Sequence, residues 1–132
     1  MTQLLHSEVT FEIIGAAMEV HRVLGPGFVE AVYQRGMEVE LRSRGLPFQP
    51  QMRIGVGYKG EVLGDHVLDL VVDGKVVVEL KAVREMNEQH QAQLISYLKA
   101  TGLAVGLLVN FAKVSLEHKR ILLKDSLREP YS

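Results

Sequence analysis

At 132 residues, 47% hydrophobic and 23% charged, the chain has the size of one domain and enough apolar content to bury a core without covalent staples. It has no cysteine, which excludes disulfides, a thiol nucleophile and any cysteine-ligated zinc or iron–sulfur centre, and fits a reducing compartment. A net charge of −1 excludes a globally basic nucleic-acid coat, MTQLLHSEVT lacks the features of a signal peptide and no apolar run reaches membrane-span length, so one cytoplasmic domain over 1–132 is expected.

Residues 10–24 place Ile13, Ala17, Val20 and Leu24 at helical spacing, with Ile14 and Met18 beside them. Ser7 or Thr10 suits the start of this helix, and Gly25-Pro26-Gly27 stops it. A second helix is expected from about Phe28 to Arg44, ended by Gly45 and Pro47. At its start, Gly27 as N-cap and Glu30 at the third position would make half of a capping box. Met52, Ile54, Val56 and Tyr58 then alternate with polar or glycine positions, the period of a half-buried strand. Lys59-Gly60 reads as a turn, followed by strands over Val62–Val72 and Lys75–Ala82. Residues 87–101 return to helical spacing before Gly102, Ala104–Phe111 suits a buried strand, and Ile121–Leu123 an edge strand. The order gives an α/β class: a mixed sheet, flanked by helices, with an antiparallel meander and one parallel strand reached through a crossover helix.

The stretch LDLVVDGKVVVELKA, Leu68–Ala82, sets Asp69, Glu79 and Lys81 among aliphatic residues. Glu79 and Lys81 share one strand face, and Val76, Val78 and Leu80 take the other. The hairpin loop decides where Asp69 points. A two-residue turn at Asp73-Gly74 pairs Val72 with Lys75 and puts Asp69 on the face away from Glu79. A three-residue loop, Val72-Asp73-Gly74, pairs Val71 with Lys75 and sets Asp69 diagonal to Glu79, roughly 7–8 Å away. In that second register two carboxylates repel one another, and a hard divalent cation, Mg2+ or Mn2+, would relieve them. The plainer alternative is a solvated salt-bridge cluster of all three residues.

Asp69 followed by Glu79-Leu80-Lys81 on the next strand resembles the PD-(D/E)XK nuclease superfamily. The run Gly27-Phe28-Val29-Glu30-Ala31-Val32-Tyr33, read G-x-x-E-x-x-Y after EVHRVLGPG, is similar to the bacterial and archaeal family named GxxExxY within it, as are VVVELKAV and QLISYLKATG. Gln93 and Tyr97 repeat the Q-x-x-x-Y of RecB-type nucleases. The resemblance covers about residues 8–123 and implies a restriction-endonuclease-like αβββαβ core that cleaves nucleic-acid phosphodiesters with a divalent metal. On it, Asp69 and Glu79 ligate the metal, the Leu80 carbonyl and Glu30 complete its shell, and Lys81 orients or activates water. Gln93 and Tyr97 position the acids or the substrate phosphate. Leu68 stands where the motif's proline is expected.

Tyr33 reads as a packing residue with a hydroxyl partner, and His21 as a helix-end histidine bonding a carbonyl. His66 falls on the strand face opposite Asp69. Arg42, Arg44, Lys113, Lys119, Arg120 and Lys124 read as solvated surface rather than phosphate contacts. The expected activity is Mg2+- or Mn2+-dependent cleavage of nucleic acid, DNA first, with a homodimer serving both strands of a duplex. The alternatives are a non-catalytic module of the same fold, binding nucleic acid or protein, and a small-molecule phosphodiesterase.

Overall fold

The computed structural model describes residues 4–124. Two helices, α1 (Ser7–Leu24) and α2 (Glu30–Ser43), precede three strands, β1 (Phe48–Tyr58), β2 (Glu61–Val72) and β3 (Val76–Lys81). Helix α3 (Glu88–Thr101) then leads to β4 (Val105–Asn110) and β5 (Glu117–Leu122). The sheet order is β1-β2-β3-β4-β5, antiparallel except for the parallel β3–β4 pair on either side of α3. This is the expected mixed sheet, with a longer last strand than Ile121–Leu123.

The helix starts differ from expectation. Helix α1 begins after His6, which takes a left-handed conformation, and neither Ser7 nor Thr10 caps it; the Thr10 hydroxyl donates to the Ser7 carbonyl instead. Helix α2 takes Val29 as its N-cap, so Glu30 is its first residue and the Gly27–Glu30 capping box does not form. Glu30 is thereby released from a capping role. Asn87 caps α3 with its side-chain oxygen on the amides of Gln89 and His90, and the His90 ring accepts from the Asn87 amide in return.

Both faces of the sheet are covered. On one, Ile13, Ala16 and Ala17 of α1 and Tyr33, Met37 and Leu41 of α2 pack on Leu70, Val72, Val76, Val78 and Leu80. On the other, Leu94, Tyr97 and Leu98 of α3 pack on Leu68, Val71, Val77 and Leu108. Each fully buried aliphatic side chain stabilises by about 1.5–3 kcal/mol, so these two layers carry most of the folding free energy. Helix α3 lies so close to β4 that a Cβ on Gly106 would stand 2.9 Å from Leu94 side-chain atoms. Helix α2 is anchored at its start by Tyr33, whose ring stacks on Phe111 at 4.5 Å. Its hydroxyl donates to the Gly25 carbonyl (2.6 Å) and accepts from the Phe28 amide (3.2 Å). His21 likewise bonds the Lys113 carbonyl through Nε2 at 2.8 Å, as expected of a helix-end histidine.

Candidate active site

The β2–β3 hairpin adopts neither of the two registers considered from the sequence. Val72 pairs with Val76, Val71 with Val77 and Leu70 with Val78, so the loop is Asp73-Gly74-Lys75. It closes through a bond from the Lys75 amide to the Val72 carbonyl (3.0 Å), with both Asp73 (φ 55°) and Gly74 (φ 62°) left-handed. Continued by one step, this register sets Asp69 directly opposite Glu79 rather than diagonal to it.

At that step the ladder stops. The Asp69 amide donates to Glu79 Oε1 (3.2 Å), and the Leu80 amide donates to Asp69 Oδ2 (2.8 Å). Glu79 thus accepts from the amide of Asp69 itself and Asp69 from the residue after Glu79, so two side chains replace the missing rungs. The β1 side is interrupted at the same level. Pro50 pairs with Leu70 and Met52 with Leu68, leaving Gln51 opposite Asp69 without a rung and in the left-handed region (φ 49°). A non-glycine residue held there stores strain that the surroundings must impose. The packing records the same break. Leu68 joins the α3 layer while Leu70, two residues on, joins the α1–α2 layer. Residues two apart in a regular strand share a face, so β2 twists at Asp69.

The twist turns Asp69 toward α2. It lines an open cavity of about 520 Å³ with Glu30, Gln34, Arg35, Glu38, Gln51 and Leu80. That volume is in the range of small-ligand sites. Glu79 does not line this cavity and is only 4% exposed. The structure therefore joins Asp69 to Glu79 directly and Glu30 to Asp69 through a shared cavity wall. Among the described residues, no three His, Asp or Glu side chains form a ready-made cage for an ion, so Glu30 does not close a three-acid ligand set with the pair.

The electrostatics reflect crowding that is only partly compensated. Burial first, and the neighbouring Asp69 carboxylate second, push Glu79 up to about 8. Burial also raises Asp69, and Glu30 adds to that, against the Leu80 amide and Lys81, which favour the ionised form. Gln51 lies close enough to the Asp69 carboxylate to favour its charge as well. Tyr97 is pushed up to about 12, by burial first and then by the charges of Glu79 and Asp69. Lys81 forms no ion pair with either acid among the described residues; its ammonium donates to Gln93 Oε1 at 3.1 Å. The salt-bridge cluster on a solvated face is therefore not what the hairpin builds.

The remaining sequence-selected residues fall into place around this pair. Gln93 and Tyr97 lie one turn apart on α3, Gln93 at Lys81 and Tyr97 against His66, whose ring centroid is 4.6 Å away. His66 stands on the α3 side and Asp69 at the α2 cavity, so the two do face apart. Leu80 borders the cavity, with its amide already committed to Asp69. Arg44 is paired with Glu12 and Glu40, and Lys113 with Glu85 and Glu117. Arg42 lies over the Phe48 ring, and Arg120 bonds the Leu5 carbonyl, in keeping with surface roles. Three neighbours of the acids went unread in the sequence: Gln34, Gln51 and Arg35. Gln34 was accessible to reasoning, because it follows Glu30 by four and so shares its helix face.

The acid pair sits where β2 and β3 stop pairing, at the middle of an αβββαβ core, with a lysine two residues on. A sequence profile of the PD-(D/E)XK nuclease superfamily matches residues 7–121, and the chain belongs to that superfamily. No curated protein is similar enough to count as a relative. Among solved structures, the chain is similar to SSO0001, with a TM-score of 0.58 and 20% identity over 96% of this chain. It spans 60% of that protein's length. It is also similar to an alkaline exonuclease, LHK-Exo, from Laribacter hongkongensis, with a TM-score of 0.51 and 17% identity, covering 96% of this chain and 74% of the other. At such identities these likenesses show the fold. Among the described residues, no helix is long and apolar enough to cross a membrane.

Proposed function

We propose that this chain is a nuclease that hydrolyses phosphodiester bonds of nucleic acid, DNA in the first instance, with Mg2+ or Mn2+, and that it is a GxxExxY-type member of its superfamily. The observation that carries this reading is the Asp69–Glu79 pair: two crowded carboxylates opposite each other, both raised by burial and Glu79 further by Asp69, with no cation paired to them among the described residues. Hard oxygen donors of this kind suit Mg2+ or Mn2+. Mg2+ is commonly held by one or two carboxylates with water and substrate oxygens filling its other positions, so a pair without a third fixed acid fits it. Asp69 and Glu79 would hold the ion, with the Leu80 carbonyl as a further donor and Glu30, at the cavity wall, holding water beside it. When bound, such an ion lowers the pKa of a water and offsets charge developing on the phosphoryl oxygens.

The chain's own residues do the rest. Glu79 must give up its proton to act as a ligand, which couples activity to pH through a carboxyl raised to about 8. Lys81, steered by Gln93, supplies a positive charge beside the acids without neutralising either by contact. It is suited to hold the attacking water or the scissile phosphate. Tyr97 stays protonated across the working range and can donate a hydrogen bond toward the acids. Arg35, exposed at the rim of the cavity, is a further cation for the substrate backbone. One such domain cuts one strand at a time, so a homodimer is the form proposed for duplex cleavage.

Purified protein should nick or degrade DNA with Mg2+ or Mn2+ and not with chelator. Glu79→Ala and Lys81→Ala should each lower the rate by on the order of 100-fold or more while remaining folded by circular dichroism. Undiminished cleavage in both variants would assign the activity to a contaminant and leave a non-catalytic module of the nuclease fold.

A further inference from the structure

Asp69 has no strand partner on either side, at Gln51 of β1 or at Glu79 of β3. Its main-chain groups must be satisfied all the same, because a buried carbonyl or amide without a partner is costly. The amide goes to Glu79 Oε1. The carbonyl accepts from Gln34 Nε2 at 2.9 Å, a bond from α2 to the middle of a strand thirty-five residues away. The same nitrogen donates to Glu38 Oε2 at 3.0 Å. Both partners are acceptors, so only the NH2 end of the Gln34 amide can serve them, and it uses both of its protons to do so. Gln34 is itself buried, at 9% exposure.

The helix bearing Gln34 is a rigid support. Tyr33, Met37 and Leu41 are fully buried, and Tyr33 is fixed by ring stacking and two hydrogen bonds. Glu30, one turn before Gln34, faces the same cavity as Asp69. Without the Gln34 bond, the Asp69 carbonyl would seek its missing strand partner across from Gln51, whose left-handed backbone would relax. The twist of β2 would then ease, and the carboxylate would leave the Leu80 amide.

We propose that Gln34 is a positioning residue for Asp69: it grips the main chain at the twist, and thereby aims the carboxylate at the place it shares with Glu79. This rests on the reading of Asp69 as a metal ligand. It touches neither ion nor substrate, and acts only through Asp69.

The test is Mn2+ titration by calorimetry on the metal-free chain, with amide hydrogen exchange at Leu80 as a second readout. Gln34→Met keeps the bulk and removes the donor; Gln34→Asn keeps the amide and shortens its reach by one methylene, and serves if the first variant does not fold. Mn2+ affinity should fall about 10-fold or more, as for groups that orient metal ligands from outside, and Leu80 amide exchange should accelerate. A folded variant that matches the parent within twofold in both readouts overturns the proposal while leaving the metal site intact. A parent chain that binds no Mn2+ sinks the metal reading and this inference with it.

Discussion

Near its turn, the β2–β3 hairpin pairs Val72 with Val76, Val71 with Val77 and Leu70 with Val78, aliphatic side chains at 0–4% exposure. One residue further along, the same two strands set Asp69 against Glu79 and stop pairing. The two ends are adjacent and follow different physics. At the aliphatic end, regular rungs and buried hydrocarbon hold the strands together. At the acidic end, carboxylates stand in for rungs, a glutamine from another element takes a strand carbonyl, and a neighbouring backbone is held left-handed. The lesson is that a fold of ordinary stability can carry a locally unfavourable segment when a fully regular one abuts it on the same strands. Real proteins tend to break local rules at functional sites and compensate elsewhere.

The contrast can be sharpened first at the aliphatic end. Leu70→Ala removes a side chain at 0% exposure and should destabilise by about 2–5 kcal/mol in denaturant titration. Glu79→Gln, its neighbour across the boundary, should leave stability equal or higher, since it relieves a buried, repelled carboxyl. Equal losses in both would erase the distinction drawn here. A smaller effect is expected behind the acidic end. Gly106→Ala would drive a methyl to 2.9 Å from Leu94 and displace α3, the helix that carries Gln93 and Tyr97, costing about 1–3 kcal/mol. A larger fall in cleavage than in stability would show that α3 sets the geometry at Lys81.

The smallest effect is a pH dependence of stability in metal-free protein. Folding raises Glu79 from its ordinary 4.5 to about 8, so between those values the folded chain binds more protons than the unfolded one. Its stability is then greatest below pH 4.5 as far as this group decides, and falls as pH rises toward and through about 8. Asp69 is raised too, so its own contribution also falls as pH rises above its ordinary value. The Tm of metal-free protein should drop by several degrees, on the order of 5 °C, from pH 6 to pH 9, and Glu79→Gln should flatten the curve. Saturating Mn2+ should do the same, because the ion selects the ionised acids. A parent curve already flat without metal would mean that Glu79 is charged throughout.

Much of the architecture was readable because periodicity is local. The apolar spacing of Ile13, Ala17, Val20 and Leu24, and the alternation from Met52 to Tyr58, report period and so element type. The acids were readable as residue types out of place in aliphatic strands. Their register was not: Asp73-Gly74 marks a tight turn with both residues left-handed, but nothing in the sequence marks that Lys75 joins the loop and Val72 pairs with Val76. Glu30 reads as a cap when the helix starts at Gly27, whereas the structure starts it after an extended Val29. Gln51 was invisible for a deeper reason. Its backbone conformation is imposed by neighbours on β2 and α2, and nothing in the local string Pro50-Gln51-Met52 asks for it.

Strand β1 forms one border of the sheet, with β2 on its only paired side. A smooth border strand offers an unbroken row of amides and carbonyls to any other chain's strand, the usual route to self-association. Here Pro50 withholds a donor and the left-handed Gln51 tilts the next groups out of line. The kink that shapes the acid pocket therefore also blunts this edge of the sheet against runaway growth, and straightening it would remove that protection along with the pocket.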